Sequence, residues 1–346
     1  MGVVEASHVY KVFGKNGPDV VRRLEAGADR SELAALGTAG VIDASFSVDH
    51  GEIFVVMGLS GSGKSTLIRM VNGLWMPTAG SMVVAGNNVA EMGKQELRNL
   101  RKKHISMVFQ HFALLPHRSV RDNAAYSLEI QGVDRRTRLE RAEHWLGQVG
   151  LDGWGDSLPG QLSGGMQQRV GLARALAAET DILLMDEAFS ALDPLIRTEM
   201  QDQLLDLQRD LGKTIIFISH DLNEAMRLGD RVAIMRDGRI SQIGTANEIL
   251  TRPADDYVRD FLSDIDRTRV LTARNLMREP GPGASSLPTV DAGVLLGALF
   301  TRSAEVEGTG ESDGSLAVTE DGELVGVVDQ QLLVSTMAAK TLGGAS

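Results

Sequence analysis

Ile53-Phe-Val-Val-Met57 runs directly into Gly58-Leu-Ser-Gly-Ser-Gly-Lys64-Ser65-Thr66, and the junction of these two stretches decides the fold. Five apolar residues in a row read as a strand buried on both faces, as in a parallel sheet covered by helices. The stretch from Gly58 to Ser65 fits G-x-x-x-x-G-K-S, a phosphate-binding loop. Gly58, Gly61 and Gly63 let backbone N–H groups approach phosphate oxygens with no Cβ in the way, and Leu59, Ser60 and Ser62 complete the turn. Lys64 is then the cation for the β- and γ-phosphates and the Ser65 hydroxyl a ligand for Mg²⁺. The helical pattern over residues 65–74 adds the positive end of a helix dipole beneath them.

Outward from the loop, the chain alternates. A strand is expected over residues 3–12 and another over residues 41–48. Between them lies an unusual segment, residues 15–40. There Asp19 is expected to cap one short helix carrying Val20, Val21 and Leu24, and Ser31 a second carrying Leu33 and Leu36. Residues 110–178 read as helices: Gly132 stops one, Asp134 caps the next, and Leu139, Ala142, Trp145, Leu146 and Val149 recur at helical spacing. Buried strands return at residues 182–185 and 214–219, and Asp237-Gly238 turns a hairpin. Strand–helix alternation of this kind argues for an α/β fold with a parallel sheet.

Composition sets outer limits. The chain has 346 residues, a net charge of -11 and no cysteine. The acidic balance disfavours a nucleic-acid binder, which needs surplus cations to displace phosphate counterions. The missing cysteines exclude disulfides and thiolate metal sites. No apolar run reaches the roughly 20 residues of a membrane-spanning helix, and the N-terminus carries neither a signal-peptide pattern nor a myristoylation pattern. The expectation is a soluble chain whose membrane role, if any, comes through a partner. Near Pro280-Gly281-Pro282-Gly283 the composition shifts; from Val270 onward there are 4 basic and 10 acidic residues, yet Asp321-Gly322 still turns a hairpin.

Two further stretches carry chemistry. Ile182-Leu-Leu-Met-Asp186-Glu187 is a buried strand ending in two acids. Asp186 is placed to bind the metal and Glu187 to polarise an attacking water. Leu162-Ser163-Gly164-Gly165-Met-Gln-Gln-Arg169 opens an Ala-rich helix and makes a second anion-binding nest. One site needs only one cradle; two make sense if the chain dimerises head to tail, with each nucleotide between the loop of one copy and the nest of the other.

The loop, Gln110 after Met107-Val-Phe, Leu162-Ser-Gly-Gly, residues 182–187, Ala191-Leu-Asp193 and His220 occur in the order and approximate spacing of ATP-binding cassette (ABC) ATPases, which this chain resembles over residues 3–262. The resemblance implies ATP and Mg²⁺ as cofactors. It implies Phe13 as the aromatic that stacks on adenine and Gln110 as a lid residue contacting Mg²⁺ and water. It further implies His220 as a switch at the γ-phosphate and Asp193 as a link between the two sites of a homodimer. Residues 112–116 resemble the surface that receives a membrane subunit. The remaining histidines (His8, His50, His104, His111, His117 and His144) show no metal-ligand spacing.

The 15–40 insertion, the loop and Asp186-Glu-Ala-Phe-Ser-Ala-Leu-Asp-Pro-Leu-Ile-Arg are together similar to the ATPase subunits of glycine betaine/proline (quaternary amine) importers. That similarity implies a chain held on the cytoplasmic face of the membrane by a transmembrane permease. It also implies an extracytoplasmic substrate-binding protein as indirect partner, and osmoprotectants such as glycine betaine, choline or proline as cargo. Ala273-Arg-Asn-Leu-Met-Arg278 and Gly322-Glu-Leu-Val-Gly-Val-Val-Asp329 resemble a single, partial CBS regulatory module. The expected division is an ATPase domain over residues 1–265, with a helical subdomain at about 111–178, then a linker and small α+β CBS-like domain over residues 266–346. The alternative is a soluble ABC ATPase switch of the repair or translation type.

Overall fold

The computed structural model describes residues 2–110, 113–190, 192–263, 265, 267–309 and 313–338. His111, Phe112 and Ala191 lie outside the described residues, so the expectations resting on them find no test there. The chain divides into two compact units. One holds Met1–Asp221 and Leu228–Ile243; the other holds Leu222–Arg227 and Gly244–Ser346.

The strands of the first unit, in chain order, are β1 (Val4–Phe13), β2 (Thr38–Val48), β3 (Ile53–Met57), β4 (Ala79–Val84), β5 (Asn87–Asn88), β6 (Ile105–Val108), β7 (Ile182–Asp186), β8 (Thr214–Ser219), β9 (Arg231–Arg236) and β10 (Arg239–Gly244). They form two sheets. One has the order β10-β9-β3-β8-β7-β6, and β3 lies parallel to both β8 and β9. The other has the order β2-β1-β4-β5 and is antiparallel. Every residue of β3, β7 and β8 is buried, as their uninterrupted apolar runs require. Phe46 of β2 and Phe54 of β3 stack with centroids 5.3 Å apart, within a core that also takes Leu67, Ile68 and Val71 from the helix after the loop.

Between β6 and β7 the chain is helical. Tyr126–Gln131 ends on Gly132 in the left-handed conformation, and Arg135–Gln148 begins where the Asp134 side chain accepts from the Thr137 N–H. Ala142, Trp145, Leu146 and Val149 are buried, as their spacing predicts, while Leu139, nearest the start of the helix, is half-buried.

The insertion departs from expectation. Its helix spans Gly17–Glu25, so Asp19 falls inside the first turn, where its carboxylate takes hydrogen bonds from Arg22 and Arg23. Pro18 explains the earlier start, because proline is preorganised for the first helical turn. No second helix forms. The Asp29 carboxylate accepts from both the backbone N–H and the hydroxyl of Ser31, and this local turn takes the place of the helix cap expected from Ser31. Val20, Val21, Leu24 and Leu33 still bury together against Tyr10, Val12, Ala39 and Ile42. Each such side chain is worth about 1.5–3 kcal/mol on burial. The insertion is therefore packed onto β1 and β2.

The second unit contains a three-stranded sheet: β11 (Thr289–Asp291), β12 (Leu316–Glu320) and β13 (Glu323–Val328), with β12 in the middle. β11 runs parallel to β12, and β12 pairs antiparallel with β13 around Asp321-Gly322. Both turn residues have positive φ, as a two-residue hairpin turn demands. Helices Leu296–Thr309 and Gln330–Ala338 give the unit its mixed α+β content.

Candidate functional site

The C-terminal ends of β3, β7 and β8 lie side by side, in register from Met57↔Ser219 to Asp186↔Ile218. Parallel sheets bind ligands at this edge. β3 delivers the glycine loop, in which Gly58, Gly61 and Gly63 all have positive φ. The need for glycine is sharpest at Gly58, where a Cβ would stand 2.2 Å from the Met235 carbonyl oxygen, and at Gly63, where it would stand 2.4 Å from that of Gly40. At Gly61 it would meet nothing within 4 Å, so the tip of the loop faces open space.

Lys64 opens the helix Lys64–Val71 and is buried, with its ammonium donating to the carbonyls of Gly58 (2.8 Å) and Leu59 (3.1 Å). Burial lowers its pKa, and the nearby Glu187 and Asp186 oppose that shift. The Ser65 hydroxyl donates to Asp186 at 3.1 Å. Burial raises the pKa of Asp186, against the stabilising hydroxyl of Ser65 and the cation of Arg69. A buried carboxylate beside a hydroxyl offers hard oxygen donors to a small divalent cation. Among the described residues no cluster of three His, Cys, Asp or Glu could hold a metal. Ser65 and Asp186 thus fit Mg²⁺ only as part of a shell that nucleotide oxygens or water would complete.

Glu187 follows the end of β7 with a φ of 47°, uncommon for a non-glycine residue and typical of functional sites. The Gln110 amide donates to its Oε2 at 3.1 Å, and His220 Nδ1 lies 3.4 Å from the same oxygen. Three residues far apart in sequence therefore meet at one carboxylate oxygen, with Lys64, Ser65 and Asp186 beside it.

Phe13 is half-buried at the end of β1. Its ring meets Trp75 edge to face at 4.9 Å, and the Lys11 ammonium lies 5.3 Å from its centre. Ser163 caps the helix Gly164–Ala177 by accepting from the Met166 N–H, and Asp193 caps Pro194–Leu211 in the same way through the Ile196 N–H. Ser163, Gly164, Gly165 and Asp193 line one cavity of about 560 Å³, together with Trp154 and Arg169. No residue of the glycine loop lines it. The second nest and the loop thus belong to separate surfaces of a single chain.

Sequence reasoning missed Arg69 and Trp75. Arg69 lies 4.0 Å from Asp186 and stacks on Trp75, its guanidinium 4.8 Å from the ring centre. The available signal was its place one helical turn after Ser65, on the same face.

Comparison with known proteins gives the family. Residues 41–190 match the family described as ABC transporter. The glycine betaine transport ATP-binding protein OpuAA of Bacillus subtilis (strain 168) is 51% identical over 333 residues, 90% of this chain and 79% of that protein. The glycine betaine/proline betaine transport system ATP-binding protein ProV of Escherichia coli (strain K12) is 51% identical over 81% of this chain and 70% of its own length. The trimethylamine N-oxide transport system ATP-binding protein TmoW of Ruegeria pomeroyi is 45% identical over 95% of each chain. Among solved structures, the ATP-binding cassette MJ0796, a dimer in a post-hydrolysis state with ADP and Pi, superposes with a TM-score of 0.60. It is 28% identical and covers 70% of this chain and 98% of its own.

Proposed function

Since this chain belongs to the ATP-binding subunits of ABC transporters, we propose that it energises import of a methylated-amine osmoprotectant, glycine betaine first among them. As a member of that family it is an ATPase. The observation that carries the site assignment is the meeting of Gln110, Glu187 and His220 at one carboxylate oxygen beside Lys64, Ser65 and Asp186. The solute rests on the relatives: OpuAA and ProV carry glycine betaine in their names, and TmoW a trimethylamine N-oxide. Choline and proline remain candidates on chemical grounds. The relatives named are all transport subunits, so the soluble repair or translation reading gains no support from them.

In this reading the backbone N–H groups of residues 58–63 cradle the phosphates, Lys64 turns from its carbonyls to the β- and γ-oxygens, Thr66 in the first turn of the following helix adds to the phosphate contacts, and Phe13 stacks on the adenine. Ser65 and Asp186 would hold Mg²⁺, which would neutralise charge on the phosphate oxygens. Glu187 takes the proton of the water whose oxygen attacks the γ-phosphorus, as the bond to the β-phosphate oxygen breaks and ADP leaves. Gln110 and His220 orient that carboxylate. Ser163, Gly164 and Gly165 of a second copy close over the γ-phosphate, and Asp193 couples the two sites across the seam. The separation of nest and loop in one chain supports a composite site of this kind.

The permease docks, we propose, in the cavity of about 540 Å³ lined by Phe109, Ala113, Tyr126, Ile130 and Arg174. Ala113 opens the described part of the 112–116 stretch. There Arg174 donates to the Ala113 carbonyl, and Asn123 fixes Leu115 through both of its backbone groups. This docking would hold the chain at the cytoplasmic face of the membrane, with the extracytoplasmic binding protein on the far side of the permease. No helix among the described residues is long and apolar enough to cross a membrane.

We propose the division at residues 265/266, with the tail as a single CBS-like regulatory module; the β11-β12-β13 sheet with its two helices is compatible with such a unit. The test is uptake of labelled glycine betaine into vesicles holding the permease and this chain, with choline, proline and trimethylamine N-oxide as competitors. ATP-dependent uptake is expected, and its failure for every solute contradicts the import assignment. A chain shortened after Val270 is expected to lose the response of uptake to ionic strength; an unchanged response removes the regulatory role.

A further inference from the structure

We propose that the insertion between β1 and β2 is a wall of the nucleotide pocket and that Arg30 contacts the phosphates of the bound nucleotide. This deepens the assignment of residues 58–65 as the phosphate loop and rests on it.

The insertion is anchored by its own core. Val20, Val21, Leu24 and Leu33 are buried against β1 and β2, so the short turn at residues 29–31 is held in place. That turn borders a cavity of about 550 Å³ lined by Asp29, Arg30, Ser31, Thr38, Gly61 and Asp237, among others. The size suits a small-molecule site. Two of its edges belong to the nucleotide machinery. Gly61 is the open tip of the phosphate loop, and Thr38 is the cross-strand neighbour of Phe13. A nucleotide with its base at Phe13 and its phosphates on the loop runs along this cavity.

Arg30 is the cation in that lining. Its guanidinium lies 3.9 Å from the Asp237 carboxylate, which is itself largely exposed and also approached by Arg236. A long, solvated pair of this kind is weak. A phosphate group offers the planar guanidinium a stronger, charge-assisted partner. Asp237 sits in the β9–β10 turn, which is bound to the loop through the Gly238 N–H to Ser62 carbonyl hydrogen bond at 2.9 Å. Arg30 is therefore parked on a turn that is hydrogen-bonded to the loop, at the edge of the cavity that the loop tip borders.

The test titrates ATP and ADP against the purified full chain and measures kcat and KM for ATP in the assembled transporter. Arg30→Ala is expected to weaken ATP binding and raise KM about tenfold while kcat stays within about twofold, the scale of one hydrogen bond to a charged group. Arg30→Lys is expected to recover part of the affinity, and both variants to melt with the wild type. Asp237→Asn distinguishes nucleotide contact from scaffolding: releasing Arg30 is expected to tighten ATP binding, whereas a purely structural pair would make it weaken binding as Arg30→Ala does, overturning the proposal. Lys64→Ala separates the two levels. If it abolishes binding while Arg30→Ala leaves affinity unchanged, the insertion proposal fails alone; if neither changes affinity, the loop assignment fails first.

Discussion

At Glu187 the backbone is held at a φ that side chains rarely adopt, and its carboxylate meets both Gln110 and His220. Strain maintained around a hydrogen-bonded acid fits a group fixed for proton transfer. Glu187→Gln is expected to retain ATP affinity and lower turnover by at least about a hundredfold, the low end of general-base catalysis. Single-turnover hydrolysis checks this, and wild-type turnover would remove Glu187 from its role. Lys64, Ser65, Asp186 and Glu187 were named from local patterns, a glycine loop and an acidic end to an apolar strand, whereas Gln110 and His220 came from the family resemblance. Arg69 and Trp75 were not named, because their place beside Asp186 rests on contacts between a helix face and a strand end, which no short motif encodes.

Among the elements, the all-buried strands were read correctly, since an unbroken apolar run leaves few alternatives. The insertion was read half correctly. Its apolar residues do form a core, but the Asp29–Ser31 turn displaced the second helix, because side-chain hydrogen bonds compete with helical ones over so short a span. In the phosphate loop, Gly58→Ala would force a Cβ to 2.2 Å from the Met235 carbonyl. It is expected to lower stability by about 1–3 kcal/mol and to eliminate measurable ATP binding; wild-type melting and affinity would contradict this account of the loop. Lys213, at the entry to β8, donates to the Thr180 carbonyl, and burial depresses its pKa. A depressed lysine folds at a penalty while charged, so stability should rise as pH climbs through the folded-state pKa toward its ordinary 10.5. Lys213→Met should flatten that rise in melting temperature, and an unchanged pH slope would contradict the assignment.

For the whole molecule, the sequence order of motifs revealed the family, and two cradles in one chain already argued for a head-to-tail pair; what needs three-dimensional placement is that Ser163 and Asp193 share a cavity that no residue of the glycine loop lines. The permease proposal is tested by Ile130→Asp, which puts a charge into an exposed apolar position of the docking cavity. Co-purification with the permease should fall at least about tenfold, as burying an unpaired charge requires, with ATP affinity intact; unimpaired co-purification would place the dock elsewhere. The central claim is that two copies of this chain build each hydrolytic site between them. Its most direct measurement is the ATPase rate of the assembled transporter carrying Ser163→Glu, which sets a negative charge where the partner's nest must meet the γ-phosphate. The account predicts a rate at least about a hundredfold lower, as for other lost transition-state contacts, with nucleotide affinity of the isolated chain unchanged. Hydrolysis at the wild-type rate would contradict it.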